Sequence, residues 1–382
     1  MPRPPRPIEI TAALAGAVLT VDLGAVAANW RLVQKRLGRA EAAAVVKADA
    51  YGLGLDRVAP VLSAAGCRTF CVAHPAEGIA LRDILDASGG GASDAAIVVL
   101  NGLLPGAEDA YAESRLMPAL GSLAEIARWR AFGKRRGGAL PCWLHVDTGM
   151  SRLGLPPDEL ATLAEQPGLL DGLDVRVVMS HLACADEPGN PRNRRQLESF
   201  ENACRALPMG RASLANSGGV FLGGEFHFDV ARPGVALYGV APHIGEPNPM
   251  AQVVRLQGKI VQVRRVDTPE TVGYGATHRV EGPGRIATVP VGYADGYLRS
   301  LSNRGTGYIG DKPVPVVGRV SMDLITLDVT GVPENLASVG QLVDLIGPHN
   351  PVDKVARDAG TIGYEILTSL GRRYRRVYVG GA

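Results

Sequence analysis

Charge is nearly balanced in this chain of 382 residues. Forty basic side chains face 38 acidic ones, leaving a formal net charge of +2. A protein that grips nucleic acid needs a basic excess or stripe, so nucleic acid is not an expected partner. Cysteine is scarce and odd in number: Cys67, Cys71, Cys142, Cys184 and Cys204, with no Cys-x-x-Cys spacing. Neither a disulfide framework nor a metal site is indicated. Such thiols suit burial in a reducing compartment, and the expected location is the cytoplasm. No apolar run reaches the roughly 20 residues that a membrane-spanning helix requires, so no membrane partner is expected. Arg3 and Arg6 precede an apolar stretch over residues 12–21, but Glu9 lies between the arginines and that stretch, and Asp22 closes it. The expectation is a retained N-terminus rather than a cleaved signal.

Lysine is the scarcest charged type. Only six of the forty basic residues are lysines: Lys35, Lys47, Lys134, Lys259, Lys312 and Lys354. Five lie in polar or turn-like surroundings. Lys47 alone ends an apolar run of strand type, Ala42-Ala43-Ala44-Val45-Val46, and opens a glycine turn containing Gly52 and Gly54. At such a strand end its stem is packed and its amine partly desolvated, which lowers its pKa. An amine of that kind can attack a carbonyl carbon and form a Schiff base. A lysine that snorkels from a strand end is the other reading of the same residues.

From residue 18 to about 240, short apolar runs alternate with helical patterns. Strands are expected over residues 43–47, 69–73, 96–100, 116–120, 141–146, 175–181, 211–216 and 228–231. Helices are expected between them, as at 56–65, 105–112, 122–132, 157–165 and 191–207. Eight alternations predict a (β/α)8 barrel of the TIM type over residues 18–242. Residues 242–249 are rich in Pro and Gly and read as a linker. Beyond them, β-branched runs at 253–266, 285–291, 313–320, 324–329 and 341–346 predict a mainly β domain over 250–382. Residues 1–17 are expected to be extended or to join that domain. Barrel chemistry collects at the C-terminal ends of the strands. The polar residues placed there are Lys47, His74, Asn101, His145, Asp147, His181, Asn216, Ser217 and Arg232.

Val45-Val46-Lys47-Ala48-Asp49-Ala50-Tyr51-Gly52-Leu53-Gly54 resembles the cofactor-lysine motif of alanine racemases, which are pyridoxal-phosphate enzymes built from a barrel and a β domain. Further matches recur in family order from about Leu19 to Tyr378. The resemblance implies pyridoxal 5′-phosphate held on Lys47, with Tyr51 and Tyr364 at its phosphate. In Asp147-Thr148-Gly149-Met150-Ser151-Arg152-Leu153-Gly154 it implies that Arg152 binds the cofactor's phenolic oxygen and helps to bind substrate. His181 would pack on the pyridine ring. Asn216 and Ser217, in Ala215-Asn216-Ser217-Gly218-Gly219, would serve the cofactor's phosphate end, together with the Gly234 N–H. Arg232 would face the pyridine nitrogen. Tyr274, in Val272-Gly273-Tyr274-Gly275, would be the second catalytic base beside Lys47, reaching the active site of a partner subunit. Tyr293 would gate the pocket, and Met322 with Asp323 would meet the substrate carboxylate.

Two positions depart from the family pattern. Many members carry a carbamate-forming lysine where this chain has His145, and a histidine cannot form that carbamate. Arg152 must then be held differently, by an anion such as chloride or by a neutral imidazole of lowered pKa. The family often has a histidine where this chain has Ser213, so the support behind Arg232 must differ too.

The resemblance implies a two-base racemase for alanine, a small-molecule substrate, acting as a homodimer with composite sites and supplying D-alanine for peptidoglycan. A same-fold racemase for serine or a broader set of amino acids is one rival, and a non-catalytic pyridoxal-phosphate carrier is another. A decarboxylase would want an acid at the ring nitrogen, where this chain has Arg232. A single-barrel carrier would lack the segment after residue 249.

Overall fold

The computed structural model describes residues 11–89, 91–207 and 210–381. What was expected of residues 1–10 lies outside them. The chain divides into two compact units, residues 24–251 and residues 11–23 with 252–381.

The first unit is the expected barrel. Thr69–Val72, Ala96–Val99, Leu116–Leu120, Leu140–His145, Leu173–Met179 and Ala212–Ser213 follow Ala44–Val45 in a parallel seven-stranded sheet. Their central residues (Phe70-Cys71-Val72, Ile97-Val98-Val99, Val177-Val178) are buried without alternation. That is the pattern of parallel strands covered on both faces. Closure comes from the eighth strand, Val230–Ala231, which pairs in parallel with Glu41–Ala42. On its other side, Asp229 N–H donates to the Ala212 carbonyl and Arg232 N–H to the Ala215 carbonyl. Helices such as Leu55–Ala65, Pro75–Ser88, Leu123–Arg136 and Pro191–Ala206 connect the strands.

The second unit carries a six-stranded sheet and a three-stranded one. Ala17–Asp22, expected at the head of the barrel domain, belongs here. It lies between Val254–Lys259, antiparallel, and Arg375–Val379, parallel. Its alternating burial fits a strand with one core face, where Leu19 and Val21 are wholly buried. The run read as one strand over 253–266 breaks in two. Ile260 N–H donates to the Gln341 carbonyl and Val261 N–H to the Thr288 carbonyl, so the chain changes sheets between these residues. Gln262–Val266 then pairs with Gly284–Val289 and, through it, Ile325–Asp328. Val352–Ala359 and Gly363–Ser369 are the helices. Among the described residues no helix is long and apolar enough to cross a membrane.

Candidate active site

Lys47 is two residues beyond the strand, which ends at Val45. The sequence placed it at the last strand position. The difference arises because the chain turns left-handed directly after it. Ala48, Asp49, Ala50 and Tyr51 have φ between 53° and 57°. Each L-residue in that region costs roughly 1–2 kcal/mol, so the surroundings must hold the turn. Three groups do so. Ala50 N–H donates to the Val46 carbonyl at 3.0 Å. The Asp49 carboxylate accepts from Leu55 N–H at 2.7 Å. The Glu77 carboxylate accepts from Ala48 N–H at 2.6 Å and, through its other oxygen, from Ala73 and His74 N–H at 2.8 and 3.1 Å. The Lys47 pKa is lowered, first by burial and then by the Arg152 charge, while Glu77 and Cys71 oppose the shift. Cys71, whose backbone pairs with Val45, is held up at about 12 by burial.

Arg232 is buried and spends its guanidinium on the barrel wall. Nη1 donates to the Ser213 carbonyl at 2.9 Å and to Ser213 Oγ, and Nη2 donates to the Ser180 carbonyl at 2.5 Å. Ser213 Oγ in turn donates to the Val230 carbonyl at 2.5 Å. Ser213, where different support behind Arg232 was expected, is therefore that arginine's direct partner. Burial lowers the Arg232 pKa to about 10, which leaves it charged at neutral pH. Nη2 also lies 3.5 Å from His181 Nδ1. His181 is held well below its usual pKa by burial, then by Arg232 and Arg152, so its ring is neutral. His145 is buried too, and its pKa falls to about 4. Burial is the main cause, followed by Arg232. The Arg152 charge, the cause expected from the sequence, ranks behind both. The Arg152 guanidinium makes no hydrogen bond or ion pair to the described residues. A cavity of about 300 Å³ beside it is lined by Asn101, Gly121, Glu125, His145 and Gly154. Gly154, at φ 108°, must be glycine, since a Cβ would sit 2.6 Å from Asp147 N.

Ser217 does not cap its own short helix, Gly219–Leu222. Its Oγ accepts from Gly234 N–H at 2.9 Å and Ala236 N–H at 3.3 Å, on the turn after the last strand. Tyr51 packs on Tyr238 with ring centroids 4.6 Å apart and ring planes tilted by 32°. The Tyr51 hydroxyl stands directly over Gly234, where a Cβ would collide with it. Two hydroxyls thus meet beside a backbone N–H that Ser217 Oγ engages, a small polar space suited to phosphate oxygens. Asn216 is spent on scaffold: its amide donates to the Leu182 carbonyl and accepts from Gly219 N–H.

In the β unit, Tyr274 tips the hairpin Thr271–Val272/His278–Arg279 and is 73% exposed. It lines a cavity of about 900 Å³ with Arg264, Arg319, Ser321, Thr288 and Thr326. Tyr293 and Met322 lie on adjoining loops: Tyr293 N–H donates to the Ser321 carbonyl and Ala294 N–H to the Met322 carbonyl, both at 3.0 Å. Asp323 is engaged by Arg373 at 2.7 Å, and the same guanidinium forks onto buried Asp295 at 2.6 and 2.8 Å. Tyr364 stands half-exposed on Gly363–Ser369. The structure thus groups Lys47, Arg152, His181 and Arg232 at one end of the barrel, with Tyr51, Ser217 and Gly234 as a second cluster. Tyr274, Tyr293, Met322, Asp323 and Tyr364 all belong to the β unit.

Sequence reasoning missed Glu77, Ser180 and Gln196. Gln196 donates to the His181 carbonyl at 3.0 Å and accepts from Ala183 N–H at 2.8 Å. Glu77 had a local signal, since His74-Pro75-Ala76-Glu77 places a glutamate at the third helical position after a proline. Ser180 had none, because its carbonyl is what matters.

Comparison with known proteins bears on the same residues. The family model described as "Alanine racemase, N-terminal domain" matches residues 21–242, and "Alanine racemase, C-terminal domain" matches 253–378. An alanine racemase of Rhodospirillum rubrum is 54% identical over 367 residues, covering 96% of each chain. One of Brucella canis is 50% identical over 378 residues, covering 96% of this chain and 94% of its own. A crystal structure of alanine racemase from Bartonella henselae with covalently bound pyridoxal phosphate superposes with a TM-score of 0.90 at 41% identity, covering 96% of this chain and all of that one. With both family models matched and half or more of its residues shared with such relatives, the chain belongs to the alanine racemase family.

Proposed function

We propose that the chain interconverts L-alanine and D-alanine by moving the α proton between two bases, Lys47 and Tyr274. Family membership makes it an amino-acid racemase with pyridoxal phosphate as cofactor. What supports the placement of that cofactor is the convergence of Lys47, Arg152, His181 and Arg232 at the carboxyl ends of barrel strands. The hydroxyls of Ser217 and Tyr51 beside Gly234, whose N–H Ser217 Oγ engages and where there is no room for a Cβ, fit its phosphate. When bound, pyridoxal phosphate acidifies the substrate's α proton by drawing electron density from the α carbon.

The protein's own groups do the rest. Lys47, its amine pKa lowered by burial, would be the residue that holds the cofactor, and its amine would take or return the proton on the D face. Tyr274 from a second copy of the chain serves the L face, because one base rarely reaches both sides of a carbon. Arg232, charged and fixed by Ser213 and Ser180, would keep the ring nitrogen unprotonated. That limits electron withdrawal and favours return of the proton to the α carbon. Neutral His181 would pack on the ring face without competing for the proton. Arg152, unengaged by the described residues, would donate to the phenolic oxygen and to substrate. Tyr364 would join Tyr51 at the phosphate, Tyr293 would narrow the entrance, and the Met322–Asp323 segment would meet the substrate carboxylate. The product suits D-alanine supply for peptidoglycan, and a homodimer would complete two composite sites.

Borohydride reduction of the reconstituted protein tests the core of this. One peptide, containing Lys47, should carry the reduced cofactor. Labelling of another lysine, or no retained cofactor after reconstitution, would overturn the assignment.

A further inference from the structure

Three glutamates repeat one device around the barrel. Glu77, Glu125 and Glu159 each occupy the third position of a barrel helix, Pro75–Ser88, Leu123–Arg136 and Pro157–Glu165. Each carboxylate reaches sideways to an N–H beyond the preceding strand: Ala48 at 2.6 Å, Leu103 at 2.8 Å and Leu123 at 2.8 Å. Glu77 and Glu125 also reach back to the end of their own strand, at Ala73 and Gly121. The carboxylates staple each loop to its neighbour. A carboxylate at a helix N-terminus is well placed for this, because unpaired N–H groups and the helix dipole both favour an anion there.

Glu77 differs from the other two in what it holds. Its Ala48 partner directly follows Lys47 and opens the left-handed turn. We propose that Glu77 is a positioning residue for Lys47, fixing the lysine's backbone against the adjacent strand and placing one negative charge beside the amine. This rests on the reading of Lys47 as the reacting lysine.

The physical case has two parts. First, four successive residues at positive φ are held only if neighbours over-determine them. Glu77 ties the first of the four to two backbone groups just beyond the next strand. Second, the Glu77 charge opposes the lowering of the Lys47 pKa. The other charged or titratable groups felt by this amine are Arg152, Cys71 and His181. Glu77 is the carboxylate among them.

The test compares Glu77→Gln, Glu77→Ala and Glu159→Gln in the full-length chain. The first keeps an acceptor oxygen and removes the charge; the last alters the same kind of staple away from Lys47. The rate of lysine acetylation by acetic anhydride is read across pH, peptide by peptide, before cofactor is added. In Glu77→Gln the half-reaction pH at Lys47 should fall while the other five lysines keep theirs. In Glu159→Gln all six should be unchanged. After reconstitution, Glu77→Ala should lose racemisation by roughly ten- to a hundredfold, the scale of a misplacement near 1 Å. An unmoved Lys47 profile in Glu77→Gln, or equal shifts in Glu77→Gln and Glu159→Gln, overturns the proposal. If borohydride instead traps the cofactor on another lysine, the reading of Lys47 fails first, whatever the Glu77 variants do.

Discussion

Acid should destabilise the barrel through one identifiable histidine. His145 has a pKa of about 4 in the folded chain against 6.5 for an unperturbed histidine, because burial and the Arg232 and Arg152 charges oppose its protonation. A depressed folded value means that the unfolded chain binds the proton more readily. Stability is therefore intact above pH 6.5 and falls as the pH drops towards 4. Integrating the proton difference gives a loss of about 2 kcal/mol between pH 7 and pH 5, and about 3 kcal/mol by pH 4. His181 is shifted in the same direction and adds to the wild-type slope, so the informative quantity is a difference between variants. All three tryptophans, Trp30, Trp129 and Trp143, lie in residues 24–251, so their fluorescence reports this unit alone. Urea unfolding followed by tryptophan emission, at pH 7 and pH 5, should show a loss about 2 kcal/mol larger in wild type than in His145→Gln. In thermal melts the difference is about 4–8 °C, on the usual scale for a unit of this size. Equal losses in the two proteins would refute a buried, neutral His145.

Gly234→Ala should weaken pyridoxal-phosphate binding by about tenfold or more, since a Cβ there meets the Tyr51 hydroxyl and overpacking costs about 1–3 kcal/mol; a fluorescence titration with an unchanged Kd would show that the cradle is elsewhere. Tyr274→Phe should melt at the wild-type temperature, its side chain being exposed, yet lose racemisation on the order of a hundredfold. It should exchange the α proton of D-alanine with solvent better than that of L-alanine. Mixed with Lys47→Ala under subunit exchange it should regain activity, and confirmed heterodimers that stay inactive would place Tyr274 in its own subunit.

Much of the barrel was legible because its strands are covered on both faces and read as unbroken apolar runs. Phe70-Cys71-Val72 and Ile97-Val98-Val99 are such runs, bounded by turn residues. The β unit was less legible. Ala17–Asp22 sits next to a barrel helix in sequence, and only long-range pairing with Val254–Lys259 and Arg375–Val379 decides its place. The break at Ile260-Val261 leaves no Gly or Pro to mark it, because the change is one of hydrogen-bond partner.

At the candidate site, residue types and order were fixed by the sequence alone. A single lysine ends an apolar run, Arg152 and Arg232 follow strand ends, and His145 and Ser213 are present as a histidine and a serine. What these residues touch was a matter of folding. Ser213 became the partner of Arg232, and Asn216 turned to backbone, through contacts across neighbouring barrel strands. Glu77 came to hold the lysine loop from 29 positions along the chain. The low pKa of His145 is mainly an effect of burial. Local sequence sets which groups exist and in what conformation they can start. Distances between strands, and the exclusion of water from the space they enclose, arise only when the sheet closes on itself.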